Sequence, residues 1–397
     1  MTRGSRIRSA PTVEGWGLAF IACCLLASSF IQRVNLLVLV FGLLAALLLV
    51  GWVQARRNLS RIAVRRVLPQ ETYAGAPFEV AIEAVNDGFR DAFAVSVVDE
   101  LDLPNQLYGE ALFAKAAKRS TAKAKYAAIS ERRGRVAIGP MTVGTRFPFG
   151  LFQARRVLHS VDEMVVFPAL GEMTDSWRRL TGRASDSSKN LRPSPERVQE
   201  EFHGLRDYRE GDNLRHIHWL TTARRGQPVV KEFETLSARD VLLFVDPFAP
   251  DPTVLVDPHV ETALSLAATA CVDFCRRFGS ASGRIVVVLA GQTPTVVQGQ
   301  ASSRLVDAAL RAFALAEFTF QDDWRTALDK LGPNQVRGAQ AWFIGTRPMD
   351  HMRREYGMRF GFRFGVDAAT IDVTADQHRA FFRRIDESAS ASKEIKR

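Results

Sequence analysis

The chain has 397 residues, 47% hydrophobic and 24% charged, with 53 Lys and Arg against 43 Asp and Glu for a formal net charge of +10. That length accommodates two or three domains with cores of their own, and the composition excludes a wholly disordered chain. The positive balance calls for an acidic partner, and its placement on both flanks of an apolar N-terminal region (Arg3, Arg6, Arg8, then Arg56, Arg57, Arg61, Arg65 and Arg66) favours a membrane surface over nucleic acid.

Two uncharged runs lie between those flanks, Trp16 to Ile31 and Leu36 to Val53, joined by Gln32-Arg33-Val34-Asn35. Each approaches the ~20 residues that cross a ~30 Å hydrocarbon layer. A signal peptide cleaved near Ala27-Ser28-Ser29 is the alternative for the first run, although the second would still anchor the product. Trp16 and Trp52 stand at the outer ends, where amphipathic rings favour the interface. The connecting turn carries only Arg33, so the positive-inside rule places both ends, and the rest of the chain, in the cytoplasm.

From about Arg61 to Phe167 short alternating runs recur at 61–64, 78–85, 93–98 and 136–138. Turn residues separate them: Asn86-Asp87-Gly88, Leu103-Pro104-Asn105, Arg133-Gly134 and Gly139-Pro140. The pattern predicts an antiparallel β-sandwich. Phe147-Pro148-Phe149-Gly150-Leu151-Phe152 is expected to plug its end, with a ligand loop as the alternative. Residues from about Gly171 to Gln199, rich in Ser, Arg, Pro and Lys, read as a mobile linker or exposed loop.

Apolar β runs at 240–246, 284–290, 341–345 and 369–373 then alternate with helical patterns at 259–278, 303–318 and 322–331. This predicts a parallel sheet covered on both faces. A closing helix is expected up to about Ile385, with Thr374 as its N-cap and Asp376 in its first turn. The four cysteines, Cys23, Cys24, Cys271 and Cys275, form no Cys-x-x-Cys pair and read as small buried hydrophobes in a reducing compartment.

The most distinctive stretch is Phe202 to Glu234, FHGLRDYREGDNLRHIHWLTTARRGQPVVKEFE. Arg206, Arg209, Arg215, Arg224 and Arg225 lie among Asp207, Glu210, Asp212, Glu232 and Glu234, and guanidinium groups hold carboxylates through paired hydrogen bonds. Gly211-Asp212-Asn213 signals a turn with Asp212 as a helix cap, Ile217 and Trp219 are expected to point inward, and Val229 to Phe233 reads as a strand. Two compatible readings stand: a salt-bridged clasp between domains, or a docking surface for an acidic or phosphate-bearing partner.

This stretch resembles the bacterial family catalogued as domain of unknown function fifty-eight. The family pattern runs roughly Arg-x-Tyr-x-x-Gly-Asp-x-x-Arg-x-Ile-x-Trp, then Ala-Arg-x-Gly and Val-x-Glu-Phe-Glu. Here those positions are Arg206, Tyr208, Gly211, Asp212, Arg215, Ile217, Trp219, Ala223, Arg224, Gly226, Val230, Glu232, Phe233 and Glu234. Arg132-Arg133-Gly134-Arg135, Gly139-Pro140, the 148–152 segment and the apolar hairpin also look like that family. His218 stands where the family has Asp before the Trp, and Leu220 where it often has Lys. The resemblance implies an α/β domain similar to the von Willebrand factor type A fold, in which Asp-x-Ser-x-Ser after the first strand holds Mg²⁺ or Ca²⁺. Here the matching Asp246-Pro247-Phe248-Ala249-Pro250 keeps the Asp and lacks both hydroxyls, so a Mg²⁺ site at Asp246 is degenerate and no cofactor is expected. The resemblance also implies an accessory or adaptor role beside a MoxR-type AAA ATPase.

Signatures of catalysis are sparse. The chain has no Gly-x-x-x-x-Gly-Lys-Ser/Thr loop and no His-Glu-x-x-His, and Gly279-Ser280-Ala281-Ser282-Gly283 has Ala where a nucleophile elbow needs Ser. His203, His216 and His218 lack accompanying cysteines for a metal site, and Asp246, Asp251 and Asp257 read as turn residues.

The expected architecture is therefore a transmembrane helical hairpin with basic flanks (1–57), a β-sandwich (58–168), a linker with the family-motif segment (169–238), an α/β domain (239–387) and a disordered tail (388–397). The expected function is membrane-anchored protein interaction without catalysis. An enzyme using the Arg/Asp/His segment, or an anionic-lipid or nucleic-acid binder, is the alternative. The orientation is testable: alkaline phosphatase fused to the C-terminus should be inactive, and an active fusion would overturn the cytoplasmic assignment.

Overall fold

The computed structural model of the chain describes residues 6–32, 35–177, 198–208, 217–237, 240–251, 256–278, 283–291, 293–321, 324–332, 339–348, 350, 354, 358 and 368–384. It divides into two units, Met1–Phe167 and Pro168–Arg397.

The first unit opens with a short strand, β1 (Arg8–Pro11), followed by helices α1 (Val13–Gln32) and α2 (Asn35–Leu59). Both helices are long and apolar enough to cross a membrane, and they leave Trp16, Phe20, Phe30, Leu36, Leu39 and Leu43 exposed. Then come β2 (Ile62–Val67), β3 (Pro77–Asn86), β4 (Ala92–Leu103), β5 (Gln106–Ala116), β6 (Ser120–Ile129), β7 (Gly134–Thr145), β8 (Phe152–Leu158) and β9 (Asp162–Val166). They form two antiparallel sheets, β1-β8-β7-β4-β5 with β9 also on β7, and β2-β3-β6. Inward side chains of both share one core, including Ile62, Val80, Ile82, Val95, Val97, Ile138 and Val143.

Both ends of the apolar hairpin are fastened into this sandwich. At the start, β1 pairs with β8 and the Thr12 N–H donates to Leu151 O at 3.0 Å. The Thr12 hydroxyl donates to Gly150 O at 2.7 Å and accepts from the Gly15 N–H at 3.1 Å, capping α1. A Cβ at Gly15 would stand 2.1 Å from Leu151 O, so only glycine permits this approach. At the other end, Ala55 and Leu59 of α2 are buried in the sandwich core, and the Gly51 Cβ position lies 3.5 Å from the Phe152 ring. In the 147–152 segment Phe147 stacks 5.1 Å from Phe93 and Phe152 packs against the core, while Phe149 is 53% exposed.

Strand period explains a buried charge cluster. Arg66 follows Ile62 and Val64 on the inward face of β2, Asp99 follows Val95 and Val97 on β4, and Tyr126 faces inward on β6. The Arg66 Nε and Nη2 donate to Asp99 at 2.8 and 2.5 Å, its Nη1 pairs with Asp162, and the Tyr126 hydroxyl donates to Asp99 at 2.8 Å. A Cβ at Gly109, opposite Asp99, would fall 2.2 Å from the Tyr126 ring, so its absence lets the phenol cross β5. Burial opposes charge on Arg66, yet the Asp99 and Asp162 carboxylates outweigh it and hold its pKa above the ordinary value. Burial first, then the Asp99 carboxylate, pushes the Tyr126 phenol far up, so it stays a neutral donor.

The second unit contains β10 (Gly171–Met173), β11 (Val198–Asp207), α3 (Trp219–Arg225), β12 (Val229–Ser237), β13 (Val241–Asp246), α4 (Pro258–Phe278), β14 (Arg284–Leu289), β15 (Thr295–Gln300), α5 (Ser303–Ala314), α6 (Trp324–Asp329), β16 (Gln340–Gly345), β17 (Ala368–Asp372) and β18 (Phe382–Arg384). Its main sheet has the order β15-β14-β13-β16-β17, parallel except for the antiparallel edge strand β15. Leu242, Phe244, Val286, Val288 and Phe343 share a core with Trp324, Ala327 and Leu328 of α6, while α4 lies against β13 and β16.

Several expectations need correction. Gly139-Pro140 is no terminal turn: it lies within β7, where that strand changes partner from β9 to β8 while β4 pairs with it on both sides of the step. Residues 171–177 are structured rather than mobile: β10 pairs with β18, the Gly171 N–H donates to Thr269 Oγ1 at 3.0 Å, and Trp177 is buried 4.4 Å from Trp342. Two indole rings outweigh the polar composition around them. The closing helix is replaced by a 3₁₀ turn, Gln377–Ala380, and β18. There the Asp372 carboxylate gathers the Thr374 N–H at 2.9 Å and its hydroxyl at 2.6 Å, and Asp376 takes a left-handed φ of 56° that ends helical continuation. The tail expected at 388–397 lies outside the described residues.

Asp99→Asn should cost the sandwich about 3–5 kcal/mol by leaving Arg66 half-compensated in the core. Thermal unfolding of the detergent-solubilised chain, followed by near-ultraviolet circular dichroism, measures it. Arg66→Met/Asp99→Leu, which removes both charges, should cost less than either single change.

Candidate functional site

The distinctive segment is built on a β-hairpin. β11 pairs antiparallel with β12, with Arg206 opposite Val230, Asp207 opposite Val229, and Glu232 opposite Gly204. The Tyr208 N–H donates to Pro228 O at 3.0 Å, extending the pairing, and Ile217 bridges Val230. Ile217, Val229 and Val230 are buried, as the alternation of apolar residues predicts for Ile217. Gly211, Asp212 and Arg215 lie outside the described residues, as do Arg209, Glu210 and His216.

α3 projects from this hairpin and is closed at both ends. His218 is its N-cap, its Nδ1 meeting the Thr221 N–H at 3.3 Å and the Thr221 hydroxyl at 2.8 Å. Gly226 takes φ 69° at the C-terminus and donates its N–H to Thr222 O at 2.9 Å. The Thr222 hydroxyl accepts from the Val229 N–H at 3.0 Å, tying the helix back to β12. The expectation that Trp219 points inward is corrected: it is 69% exposed, beside Leu220 at 63%, with Arg224 and Arg225 exposed on the same short helix. The His218 cap begins the helix at Trp219, so the alternation that buries Ile217 stops one residue before it.

A second constellation lies at the C-terminal ends of the parallel strands. Asp246 ends β13, level with Gly345 of β16, and is fully buried. Arg347, two residues past β16, donates from Nε to Asp246 Oδ2 at 2.6 Å. The same guanidinium lies 4.2 Å from the Phe248 ring centroid, and the Thr346 hydroxyl donates to Phe248 O. The β13 loop is further fixed by Ala249 N–H to Thr319 O at 2.9 Å and Thr319 N–H to Pro247 O at 3.0 Å. These residues lie where β13 and β16 meet, with β14 and β17 on opposite sides in the strand order, the switch point at which open α/β sheets place ligands.

Among the described residues, those around Asp246 do not fit a divalent cation. Pro247, Phe248, Ala249 and Pro250 bring no side-chain oxygen, and a tethered guanidinium already provides positive charge at Oδ2. Among the described residues no group of three or more His, Cys, Asp or Glu side chains is placed to hold a metal. Asp257 does not join Asp246: it accepts the His259 N–H at 2.8 Å at the start of α4. Arg347 went unnoticed in the sequence because it lies 101 positions from Asp246. The available signal was its place just past a parallel strand, level with the loop after the neighbouring one.

Residues 204–358 match the family described as Protein of unknown function DUF58. This region is a DUF58 domain. The match takes in Tyr208, α3, β12 and the Asp246–Arg347 pair. No curated protein matches the chain. Among solved structures, the CARDB domain of a Pyrococcus furiosus protein is 13% identical, over 25% of this chain and 85% of that one, with a TM-score of 0.18. The alkylpurine DNA glycosylase AlkC of Pseudomonas fluorescens is 9% identical over 35% and 41%, TM-score 0.18. A GH20 exo-β-N-acetylglucosaminidase of Vibrio harveyi is 11% identical over 65% and 37%, TM-score 0.19. These values assign neither fold nor function.

Arg347→Ala should destabilise the DUF58 domain by about 3–5 kcal/mol, since it strips a buried carboxylate of its cation. Chelation with EDTA should leave the melting temperature of the parent chain unchanged. A clear loss on chelation, restored by Mg²⁺, would contradict the geometry around Asp246.

Proposed function

We propose that this chain is a membrane-anchored protein-interaction module, held in the bacterial inner membrane by α1 and α2 with its other domains in the cytoplasm, and that the DUF58 domain docks a partner through α3. The carrying observation is the solvent-facing pair Trp219 and Leu220, next to Arg224 and Arg225, on a helix capped at both ends. Trp and Arg dominate binding energy at protein interfaces, and a pre-ordered helix loses little entropy on docking. A structural clasp would bury Trp219, so its exposure favours the docking reading of this segment. The likeness of the α/β region to the von Willebrand factor type A fold remains part of the same proposal, supported by a mainly parallel sheet with helices on its faces.

The family resemblance names the partner class: a MoxR-type AAA ATPase, with this chain as adaptor or accessory protein and not as an enzyme. Two cations on α3 suit an acidic surface on that partner. The test is affinity purification of the detergent-solubilised chain from its own cells, with and without ATP, read by mass spectrometry. A AAA ATPase should be recovered, and Trp219→Ala or Arg224→Ala should weaken it by about 2 kcal/mol, roughly thirtyfold, in a protein with unchanged circular dichroism. Recovery of the chain alone in both nucleotide conditions would sink the adaptor reading.

A further inference from the structure

Where α2 enters the sandwich there is a cavity of about 790 Å³ that the docking reading leaves unused. Arg57 and Arg61 line it from the end of α2 and the link to β2, Arg90 from the loop before β4, and Lys118 from the β5–β6 turn. Asp91 is the one acid in its wall, and it is already engaged by Lys115 Nζ at 2.9 Å and the Lys118 N–H at 2.9 Å. Those hydrogen bonds, the Lys115 contact first, hold its carboxyl below the usual range, so it stays ionised and satisfied. Among the described residues, no carboxylate pairs with the guanidinium of Arg57, Arg61 or Arg90.

The wall is pre-ordered. Asn58 Nδ2 donates to Phe93 O at 2.7 Å and its Oδ1 accepts the Phe93 N–H at 3.0 Å, fixing α2 to β4. Asn86 Nδ2 donates to Arg90 O at 2.9 Å and its Oδ1 accepts the Gly88 N–H at 2.9 Å, fixing the intervening loop. A helix C-terminus carries partial negative charge and opposes an anion. Here the Arg57 carbonyl is covered by the Ser60 N–H at 3.2 Å and hydroxyl at 2.8 Å, and four cations outnumber what remains.

Depth names the anion. The uncharged run of α2 ends at Val53, and at ~1.5 Å per residue Arg57 lies about 6 Å beyond it. The polar layer of a bilayer leaflet is roughly 5–8 Å thick, so with α2 spanning the bilayer Arg57 falls at headgroup level, and the other three cations share its cavity. Phe89, in the same wall, is 68% exposed, with the Arg119 guanidinium 4.7 Å from its ring centroid.

We propose that this cavity binds the phosphate-bearing headgroup of an anionic phospholipid. The proposal rests on the reading of α1 and α2 as membrane spans. Lipid phosphate accepts charge-assisted hydrogen bonds from the three arginines and Lys118, and the ligand reaches the site laterally from the leaflet.

The full chain, extracted from the membrane pellet in a neutral detergent, is titrated with phosphatidylglycerol, phosphatidylcholine or inorganic phosphate while its melting temperature is followed. Phosphatidylglycerol should raise it saturably, phosphatidylcholine should not, and inorganic phosphate should act only at far higher concentration. Arg57→Gln/Arg61→Gln/Arg90→Gln should weaken the phosphatidylglycerol response about a hundredfold, at about fivefold per cation near an anionic surface. Lys123→Gln/Lys125→Gln/Arg135→Gln, which removes equal charge from exposed strands, should respond like the parent. Equal responses to both lipids, or an undiminished response in the arginine variant, would overturn the proposal with the membrane reading intact. Equal potency of inorganic phosphate would overturn the lipid assignment. A chain absent from the pellet would overturn both readings.

Discussion

An apolar hairpin with both ends fastened into one β-sandwich is the constraint on which the first unit depends. β1 holds the entry to α1, and Ala55 and Leu59 hold the exit of α2. Two helices whose apolar faces find no protein partner would be unstable in water, and a sandwich that clamps both ends fixes them as a pair leaving from one side. The same clamp places the aromatic turn at 147–152 and a basic cavity beside the end of α2. The buried Arg66–Asp99–Tyr126 cluster ties β2, β4 and β6 across the core behind that face. Such a cluster adds little net stability over an apolar core, but it fixes register, since a one-residue slip would turn an uncompensated charge inward.

In the DUF58 domain the corresponding constraint is electrostatic neutrality at the end of β13. A buried Asp246 requires a positive partner, and a chain without the hydroxyls that would complete a metal shell supplies a tethered guanidinium instead. The side chain that pairs with Asp246 also stacks on Phe248, so one guanidinium links the β13 loop to the end of β16. α3 differs in kind. Its backbone is tied down by caps at both ends while its largest side chains face solvent.

Much of this was legible in the sequence. Runs of period two gave the strands at 62–67, 77–86 and 92–103, and continuous apolar runs gave β13, β14 and β16, because burial on one or both sheet faces leaves a direct imprint on residue type. Strands β1, β5, β8 and β15 were not legible. Arg8–Pro11 is a short edge strand, Phe152–Leu158 mixes polar and apolar residues without alternation, and Thr295–Gln300 has half-exposed side chains, so neither alternation nor apolarity marks them. Trp177 shows the reverse: one buried ring within a polar stretch, invisible to any averaged pattern.

The sequence by itself determined the two apolar helices, the alternating strands, the α/β succession and the DUF58 motif, because each is a local pattern imposed by solvent on neighbouring residues. Only the tertiary structure decided that Trp219 faces outward, that Arg347 neutralises Asp246, and that Arg57, Arg61, Arg90 and Lys118 gather around one cavity. Those are relations between residues far apart in the chain or turned by a cap. Which charges meet depends on strand order and helix termini, neither of which residue type alone encodes.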